Sequence, residues 1–385
     1  MPRLKFVSSI IAGQSPSSTD VNLFNGGMPF LQGKAEFGPV NPLPRFECAV
    51  APRYCEAGDI LVSVRAPVGA INLADQRYGI GRGLNAVRAE AIEPGFLHWV
   101  LEASEKRLRS EANGSTFEAI TAWNIGELPY VDCSRSTQRT IADYLDRETD
   151  EIDAMLAKLN SLSEALAERK VLVIQNLTQR SDSGVRWTAV PTAHLFSSIG
   201  SGATPKGVHY YAESGSGIPW VTTSELRESV IVETTQDVTE EAVEALSALR
   251  VHPRGSVVIA MYGATIGRLA MLGVDAAMNQ ACCAFSSPRN VDSRFFYYAL
   301  WGQREELILE ANGGGQPNIS QGFLRRWRVP CPPLVEQRRI ADHLDEVTGR
   351  IDAMLAKIDE LRALLVERRA ALITDVVTGR KQVPA

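Results

Sequence analysis

Polar side chains beside glycine-rich turns are the residues of this chain best suited to chemistry. Arginine can bind a guanine edge or a phosphate through two parallel hydrogen bonds, and asparagine or glutamine can bind adenine in the same way. Neighbouring glycines would let backbone amides approach a phosphate. In the first globular region the candidates are Arg65, Arg77, Tyr78, Arg82, Asn85, Ser115 and Thr116. In the second they are Thr222, Thr223, Tyr262, Thr265, Arg268, Asn279, Gln280, Gln316 and Asn318.

Motifs for catalysis are missing from the sequence. Asn41-Pro42-Leu43-Pro44 lacks the aromatic residue of an amino-methyltransferase motif, and no Walker A loop is present. The glycines at 79, 81 and 83 do not have the spacing of a dinucleotide-binding loop. The six cysteines form no C-x-x-C pair and the five histidines are scattered, so we expect reduced thiols and no metal site. A chain without a catalytic role of its own is therefore expected.

Composition is that of a folded protein without a strong charge bias. Apolar residues make up 45% of the 385 residues and charged residues 22%, with a net charge of −5. That balance lacks the basic excess typical of a nucleic-acid binder. However, nine of twelve basic residues in 1–130 and eleven of twelve in 181–329 are arginine. A GC-rich genome would explain this preference equally well. The N-terminus has no long apolar run, so a cytoplasmic location is expected.

One segment occurs twice in the chain. Residues 138–146 read QRTIADYLD and residues 337–345 read QRRIADHLD, an offset of 199. Nineteen of the thirty-three positions from 138 to 170 are identical at that offset. Apolar residues recur at two positions of a seven-residue repeat through both copies, as in a coiled coil. Because the segments share one chain, we expect them to pair with each other as two long helices.

The regions that precede the two helices share a looser pattern. Ser8-Ser9-Ile10 corresponds to Ser197-Ser198-Ile199, Pro29-Phe30 to Pro219-Trp220, and Glu111-Ala112-Asn113-Gly114 to Glu310-Ala311-Asn312-Gly313. The run from Ile60 to Val64 predicts a buried strand, and an amphipathic helix is predicted around Phe96 to Arg109. We therefore divide the chain into four segments: a globule at 1–130, a helix at 131–180, a globule at 181–329 and a helix at 330–385.

These features predict an α+β fold with two mixed α/β globules and two long helices that form an antiparallel, pseudo-twofold coiled coil. A parallel pair would need a connection that returns along a whole helix. The alternative to pairing is that each helix lies alone on its own globule, but the narrow apolar stripe disfavours it. Similar helices with dissimilar globules would suit two modules that recognise two different targets.

The sequence resembles the specificity subunit of type I restriction–modification systems over essentially its whole length. The residues that carry the resemblance are Pro332-Pro333-Leu334 before EQRRIADHLD, GATIGR at 263–268, GIPWVTTSEL at 217–226 and the doubled globule–helix plan. The first copy departs from the helix-start pattern, because Cys133-Ser134-Arg135-Ser136-Thr137 replaces the residues before its Gln138.

The resemblance implies a non-catalytic subunit that recognises a two-part DNA sequence, one half per globule. It further implies that the globules are target-recognition domains and that the helices are spacers. Expected partners are double-stranded DNA, two modification subunits that methylate adenine, and two restriction subunits that add ATP-driven cleavage. S-adenosylmethionine, ATP and magnesium are expected on those subunits, with no cofactor in this chain.

Residues at the start of both repeated helices are candidates for docking a modification subunit: Gln138, Arg139, Asp143, Gln337, Arg338 and Asp342. Helix capping and surface ion pairing would explain them equally. Two other functions stay open. The chain could be a coiled-coil scaffold whose globules bind proteins or glycans. Protein binding that does not depend on salt would support this alternative. It could also be a self-contained enzyme, which activity of the purified chain alone would reveal.

Overall fold

The computed structural model describes residues 1–112, 119–180, 187–311 and 318–383. The chain divides into two compact units, one formed by Met1–Asn160 with Asp359–Ala385 and the other by Ser161–Ile358. Each unit thus contains one globule and a part of each long helix. Over the described ranges, no helix is both long and apolar enough to cross a membrane. All six cysteines are free thiols.

The described residues of the first globule form nine short strands in two sheets. The strands are β1 (Ser8–Ala12), β2 (Val21–Leu23), β3 (Pro29–Leu31), β4 (Phe46–Cys48), β5 (Tyr54–Cys55), β6 (Ile60–Ser63), β7 (Ile71–Leu73), β8 (Tyr78–Ile80) and β9 (Leu84–Ala89). One sheet has the order β1-β9-β6-β7 and the other β2-β4-β3-β8-β5. Among the strand pairs that the structure describes in this globule, only β3–β8 is parallel. Every residue of β6 is buried, which confirms the strand predicted from its apolar run.

Helices cover one face of the first globule and connect it to the long helices. They are α1 (Pro94–Ala103), α2 (Glu105–Ala112), α3 (Ala122–Gly126) and α4 (Arg135–Gln179). The predicted helix around Phe96 to Arg109 is two helices, since the first ends at Ala103 with Ser104 as its C-cap. Phe96 and Trp99 of α1 join Leu145 of α4 in a single core. This shared core fixes the globule to the helix that follows it.

The second globule has the same layout with additional edge strands. Its strands are β10 (Ala189–Pro191), β11 (Phe196–Ser201), β12 (Tyr211–Glu213), β13 (Ile218–Val221), β14 (Val230–Ile231), β15 (Gln236–Val238), β16 (Val257–Ala260), β17 (Leu269–Leu272), β18 (Ala277–Met278), β19 (Cys282–Pro288) and β20 (Arg328–Pro330). The sheet orders are β11-β19-β16-β17-β14, β12-β15-β13-β18 and β10-β20. The β13–β18 pair is parallel, like β3–β8 in the first globule.

The remaining helices are α5 (Thr192–Leu195), α6 (Glu240–Ala245), α7 (Ser293–Gly302), α8 (Arg304–Ala311), α9 (Gln321–Arg326) and α10 (Leu334–Val377). The core of the second globule is rich in aromatic residues. Phe196, Phe285 and Phe296 pack with ring centroids 4.5–5.5 Å apart. Leu344 of α10 is buried in the same core. The second long helix is therefore anchored to its globule as the first one is.

The two long helices run antiparallel, as predicted. In the first unit the N-terminal part of α4 packs with the C-terminal part of α10, and Arg369 Nε lies 3.2 Å from Asp153 Oδ1. In the second unit the C-terminal part of α4 packs with the N-terminal part of α10, and Lys170 Nζ lies 2.6 Å from Asp352 Oδ1. A parallel pair would bring the two N-terminal parts together instead.

One of the two apolar heptad positions is buried or half-buried along both helices, whereas the other is well buried only near the start of α10, at Ile340. Its buried members include Leu145, Ile152, Leu344, Ile351, Ile358, Leu365 and Leu372, none more than 7% exposed. At the other position, Met155, Leu162, Met354 and Leu361 are 42–50% exposed. When only two helices pack together, each buries one row of apolar side chains of the other. The second heptad position beside that row then stays partly exposed to solvent. The pairing therefore covers the predicted stripe mainly along one of its two positions.

Candidate nucleic-acid interface

In the first globule, five segments of backbone meet where β3 and β8 end. These segments are 13–15, 31–32, 64–65, 81–83 and 119–120, and together we call them the first polar edge. Four backbone hydrogen bonds of 2.8–3.0 Å join them: Ile120 N–H to Val64 O, Val64 N–H to Gly83 O, Gly81 N–H to Leu31 O, and Gln14 N–H to Ile80 O. Residues distant in sequence are therefore held side by side.

Glycines are required at the first polar edge because backbone approaches backbone there. A Cβ added at Gly13 would lie 2.2 Å from the Gly81 carbonyl oxygen, and one at Gly83 would lie 2.4 Å from the Gln32 carbonyl oxygen. Both distances are far below a normal van der Waals contact. The glycine-spaced loop of the sequence is thus explained by packing of the edge.

Two candidate arginines, Arg65 and Arg82, are exposed at the first polar edge. The Arg82 N–H donates to Ser15 Oγ at 3.3 Å, which places the exposed Ser15 beside it. Gln32, also exposed, follows the last residue of β3. Ser15 and Gln32 were missed in the sequence. Gln32 could have been found from the internal similarity of the two globules. It lies two residues after Phe30, just as the candidate Thr222 lies two residues after Trp220.

Three other candidates of the first globule lie elsewhere. Arg77 precedes β8, at the opposite end of that strand, and pairs with Glu56 at 3.4 Å while its guanidinium lies over the Tyr54 ring. Tyr78 is 1% exposed, and burial followed by its hydrogen bond to Asp75 raises its pKa to about 12.

Asn85 is 4% exposed and holds together the interior of the globule. Its amide, oriented so that both polar groups are satisfied, donates to the Leu84 carbonyl and accepts from the Ala122 N–H at 3.3 Å. The proposed surface roles of Tyr78 and Asn85 were therefore wrong, because each is needed in the core. Ser115 and Thr116 lie outside the described residues.

The second globule builds a matching edge from segments 202–204, 221–222, 261–262, 279–281 and 318–319, the second polar edge. Its four backbone hydrogen bonds measure 2.7–3.0 Å and follow the same order: Ile319 N–H to Met261 O, Met261 N–H to Ala281 O, Asn279 N–H to Val221 O, and Ala203 N–H to Met278 O. A Cβ at Gly202 would lie 1.8 Å from the Met278 carbonyl oxygen, as close an approach as at Gly13.

Side chains at the second polar edge are mostly uncharged. Thr222 and Asn279 are half-buried where the parallel strands β13 and β18 end. Gln280 is exposed and its Oε1 accepts from Thr204 Oγ1 at 2.5 Å, so that its Nε2 points to no partner among the described residues. Thr204 is a further edge residue that the sequence did not suggest. This edge offers amides and hydroxyls where the first offers guanidinium groups.

Four of the remaining candidates are Tyr262 and Asn318, which belong to the second polar edge, and Thr265 and Arg268, which lie in the loop between β16 and β17. Tyr262 and Asn318 form an isolated backbone bridge. The loop itself turns at Gly263 and Gly267, which have φ values of +86° and +75° that only glycine adopts without strain. Thr265 and Arg268 of this loop are half-buried, as is Thr223, which follows Thr222 after the end of β13. Gln316 lies outside the described residues.

The repeated glutamines at the helix starts are buried rather than available for docking. Gln138 Oε1 accepts from the Glu93 N–H at 2.8 Å, and its Nε2 donates to the Cys133 carbonyl at 3.1 Å. Gln337 Oε1 accepts from the Asp292 N–H at 2.8 Å, and its Nε2 donates to the Pro332 carbonyl at 2.8 Å. In each unit the glutamine ties the long helix to the cap of α1 or α7, so its docking role was wrong.

The other four docking candidates are exposed. Arg139, Asp143 and Arg338 lie on the solvent side of the helix starts. Asp342 pairs with Arg294 at 2.8 Å, and Arg294 also contacts Asp345 at 2.7 Å. Arg294 and Arg338 line an open groove of about 450 Å³ in the second unit.

The two helix starts differ in charge. Gly95 stands at the position that corresponds to Arg294, 199 residues earlier, so the first start lacks this arginine.

Burial raises the pKa of Asp146, and the Trp99 indole, which donates to it at 2.9 Å, opposes that rise. Over the part of the chain that the structure describes, no group of three or more His, Cys, Asp or Glu side chains could hold a metal ion.

Comparison with known proteins identifies a matching family and several relatives. Residues 187–363 match the family described as "Type I restriction modification DNA specificity domain". The putative type I restriction enzyme MjaX specificity subunit of Methanocaldococcus jannaschii is 34% identical over 158 residues, 40% of this chain and 37% of that protein. The EcoR124I/EcoR124II specificity subunit of Escherichia coli is 23% identical over 223 residues, 56% of this chain and 54% of that protein. The matches thus span about a third to a half of these relatives.

Solved structures extend the likeness in fold to the whole chain. A chain from a study of the assembly and conformational transition of the type I R-M system aligns with a TM-score of 0.80 and 17% identity, over 98% of this chain and 97% of that one. The HsdS subunit from Thermoanaerobacter tengcongensis aligns with a TM-score of 0.57 and 17% identity, over 98% and 96%. The predicted architecture of two globules and two long paired helices is that of these structures.

Proposed function

Because residues 187–363 match the family described as "Type I restriction modification DNA specificity domain", we propose that this chain is the non-catalytic subunit that recognises DNA sequence for such a complex. Residues 1–130 and 181–329 are its target-recognition domains, and residues 131–180 and 330–385 are its helical spacers. Each domain recognises one half of a two-part target.

The observation that carries the proposal is the duplicated polar edge. The same four backbone hydrogen bonds, in the same order, hold it together in both globules, while its side chains differ. A shared framework with exchangeable side chains is what two modules need in order to recognise two different base sequences. Loops held on a rigid scaffold commonly serve as binding surfaces for this reason.

The chemistry of the two edges suggests different half-sites. Arg65 and Arg82 suit bidentate hydrogen bonds to guanine or contacts with phosphates. Asn279 and Gln280 suit adenine, and Thr222 can hydrogen-bond to several bases or pack its methyl group on thymine. We therefore expect the first half-site to contain guanine and the second to contain an A·T pair.

Partner subunits supply the chemistry in this proposal. Two modification subunits use S-adenosylmethionine to methylate adenine, and two restriction subunits use ATP and magnesium for cleavage. Arg139, Asp143, Arg338 and Asp342 are the exposed residues that could dock a modification subunit at the helix starts. With a net charge of −5, the isolated chain should bind DNA weakly at physiological salt, and partner contacts with phosphate should supply most of the affinity.

The decisive experiment maps methylated adenines in the host genome with and without the gene for this chain. Deletion should abolish methylation at one two-part sequence and leave other methylated sites unchanged. A second strain should carry residues 187–329 replaced by the corresponding segment of a relative. One half of the methylated sequence should change and the other should stay. Unchanged methylation after deletion, or a change in both halves after replacement, would contradict the proposal.

A further inference from the structure

Trp123 is an exposed tryptophan in the first globule for which the fold gives no structural reason. Its side chain is 68% exposed, whereas Trp99, Trp220 and Trp327 are at most 7% exposed. Among the described residues it has no hydrogen-bond, aromatic or cation–π partner. An indole is one of the largest apolar groups in proteins, and binding energy is often concentrated in such residues.

The backbone places Trp123 beside the first polar edge. Ile120 donates its N–H to Val64, and Ala119 bridges Arg65, so α3 begins next to the exposed Arg65. The Asn85 amide accepts from the Ala122 N–H and holds the first turn of α3 against β9. Trp123 follows Ala122 directly and lies in this first turn.

The second globule has no equivalent of this side chain. Its corresponding helix α9 follows Ile319 as α3 follows Ile120, and Gly322 stands 199 residues after Trp123. Phe323, the neighbouring aromatic residue, is half-buried against Trp327. The exposed indole is therefore particular to the first globule, like the arginines of its edge.

From these observations we propose that Trp123 is a specificity-determining residue that packs against DNA in the first half-site. The indole ring packs on the bases or sugars of the groove beside Arg65, and its Nε1–H is free to donate to a base or a phosphate. Apolar side chains inserted between base steps and aromatic rings stacked on bases are common modes of DNA recognition. This inference rests on the proposed function of the chain.

The test uses the complete complex with its modification subunits and a DNA duplex that carries the mapped target. Trp123→Ala should weaken binding roughly 5- to 150-fold, the range of one lost aromatic–base contact. It should also reduce discrimination against base changes in the first half-site and leave discrimination in the second half-site unchanged. Because tryptophan carries no charge, the dependence of binding on salt should keep its slope. Trp123→Phe should restore most of the affinity.

The matched control is Phe6→Ala, since Phe6 is a 72% exposed aromatic residue of the same globule at the opposite end of β1. Its affinity and discrimination should equal those of the wild type. Wild-type discrimination in the Trp123→Ala complex, or loss of the modification subunits from that complex before DNA is added, would overturn the inference. If the wild-type complex itself shows no sequence preference, the proposed function fails and this inference fails with it.

Discussion

Replacing Gln337 by leucine should destabilise the second unit by about 2–4 kcal/mol. Gln337 is completely buried, and its amide makes hydrogen bonds of 2.8 Å to the Asp292 N–H and the Pro332 carbonyl. Leucine has a similar size but can make neither bond. The change leaves one buried donor and one buried acceptor without a partner, each at a cost of about 1–3 kcal/mol, partly offset by the more apolar side chain.

Native-state hydrogen exchange is the assay suited to this prediction, because a chain with two compact units need not unfold in one step. The Asp292 amide and the amides of α7 should exchange roughly 30- to 900-fold faster in the variant, the equivalent of 2–4 kcal/mol. Arg338→Ala is the matched control. Arg338 directly follows Gln337 but is exposed, so its replacement should change stability by less than about 0.5 kcal/mol.

The reasoning would be refuted if Gln337→Leu left both the exchange of the Asp292 amide and the thermal unfolding of the protein within the range of the control. An equivalent test exists in the first unit, where Gln138 is 4% exposed and makes the corresponding bonds to Glu93 and Cys133. Gln138→Leu should leave amide exchange in the second globule unchanged.

Three further predictions concern the helices, the second globule and the first polar edge. Cysteines at positions 153 and 369 should be joined by a short bifunctional maleimide, as the Asp153–Arg369 ion pair indicates, and failure to crosslink would contradict the antiparallel pairing. Burial, and secondarily the charge of Arg250, lowers the pKa of His252 from 6.5, so its neutral form stabilises the fold. Unfolding measurements should show that this stability is present above about pH 6.5 and is lost as pH falls through the lower folded-state pKa, a decline that His252→Gln should flatten. Arg65→Ala should reduce the slope of log affinity against log salt by about one in a titration of the complex with DNA, and an unchanged slope would exclude a phosphate contact.

The positions of the polar edges were only partly predictable. The sequence drew attention to seven residues that lie at an edge, because they are near glycines or the ends of apolar runs: Arg65, Arg82, Thr222, Tyr262, Asn279, Gln280 and Asn318. Ser15 and Thr204 were missed, since each reaches its edge through a hydrogen bond to a segment more than 60 residues away. The local pattern of residues along the sequence does not indicate such a long-range contact.

Burial explains the candidates that were wrong. Tyr78 and Asn85 look like loop residues in the sequence because glycines flank or separate them. In the fold each lies on a buried part of a strand. Tyr78 fills the core, and the Asn85 side chain accepts a hydrogen bond from the Ala122 N–H in the first turn of α3. Similarly, the repetition of Gln138 and Gln337 indicated a shared role correctly, but the role is to fix each helix to its globule.

The sequence by itself determined the two long helices, their duplication and their antiparallel pairing. Heptad spacing and near-identity are local properties, and a chain that contains two such segments separated by a globule has few ways to cover both stripes. Only the tertiary structure decided which polar residues meet at each edge, which glutamines are buried and that Trp123 is exposed. Those outcomes depend on backbone hydrogen bonds between segments far apart in the chain, and neither residue type nor periodicity specifies which segments will meet.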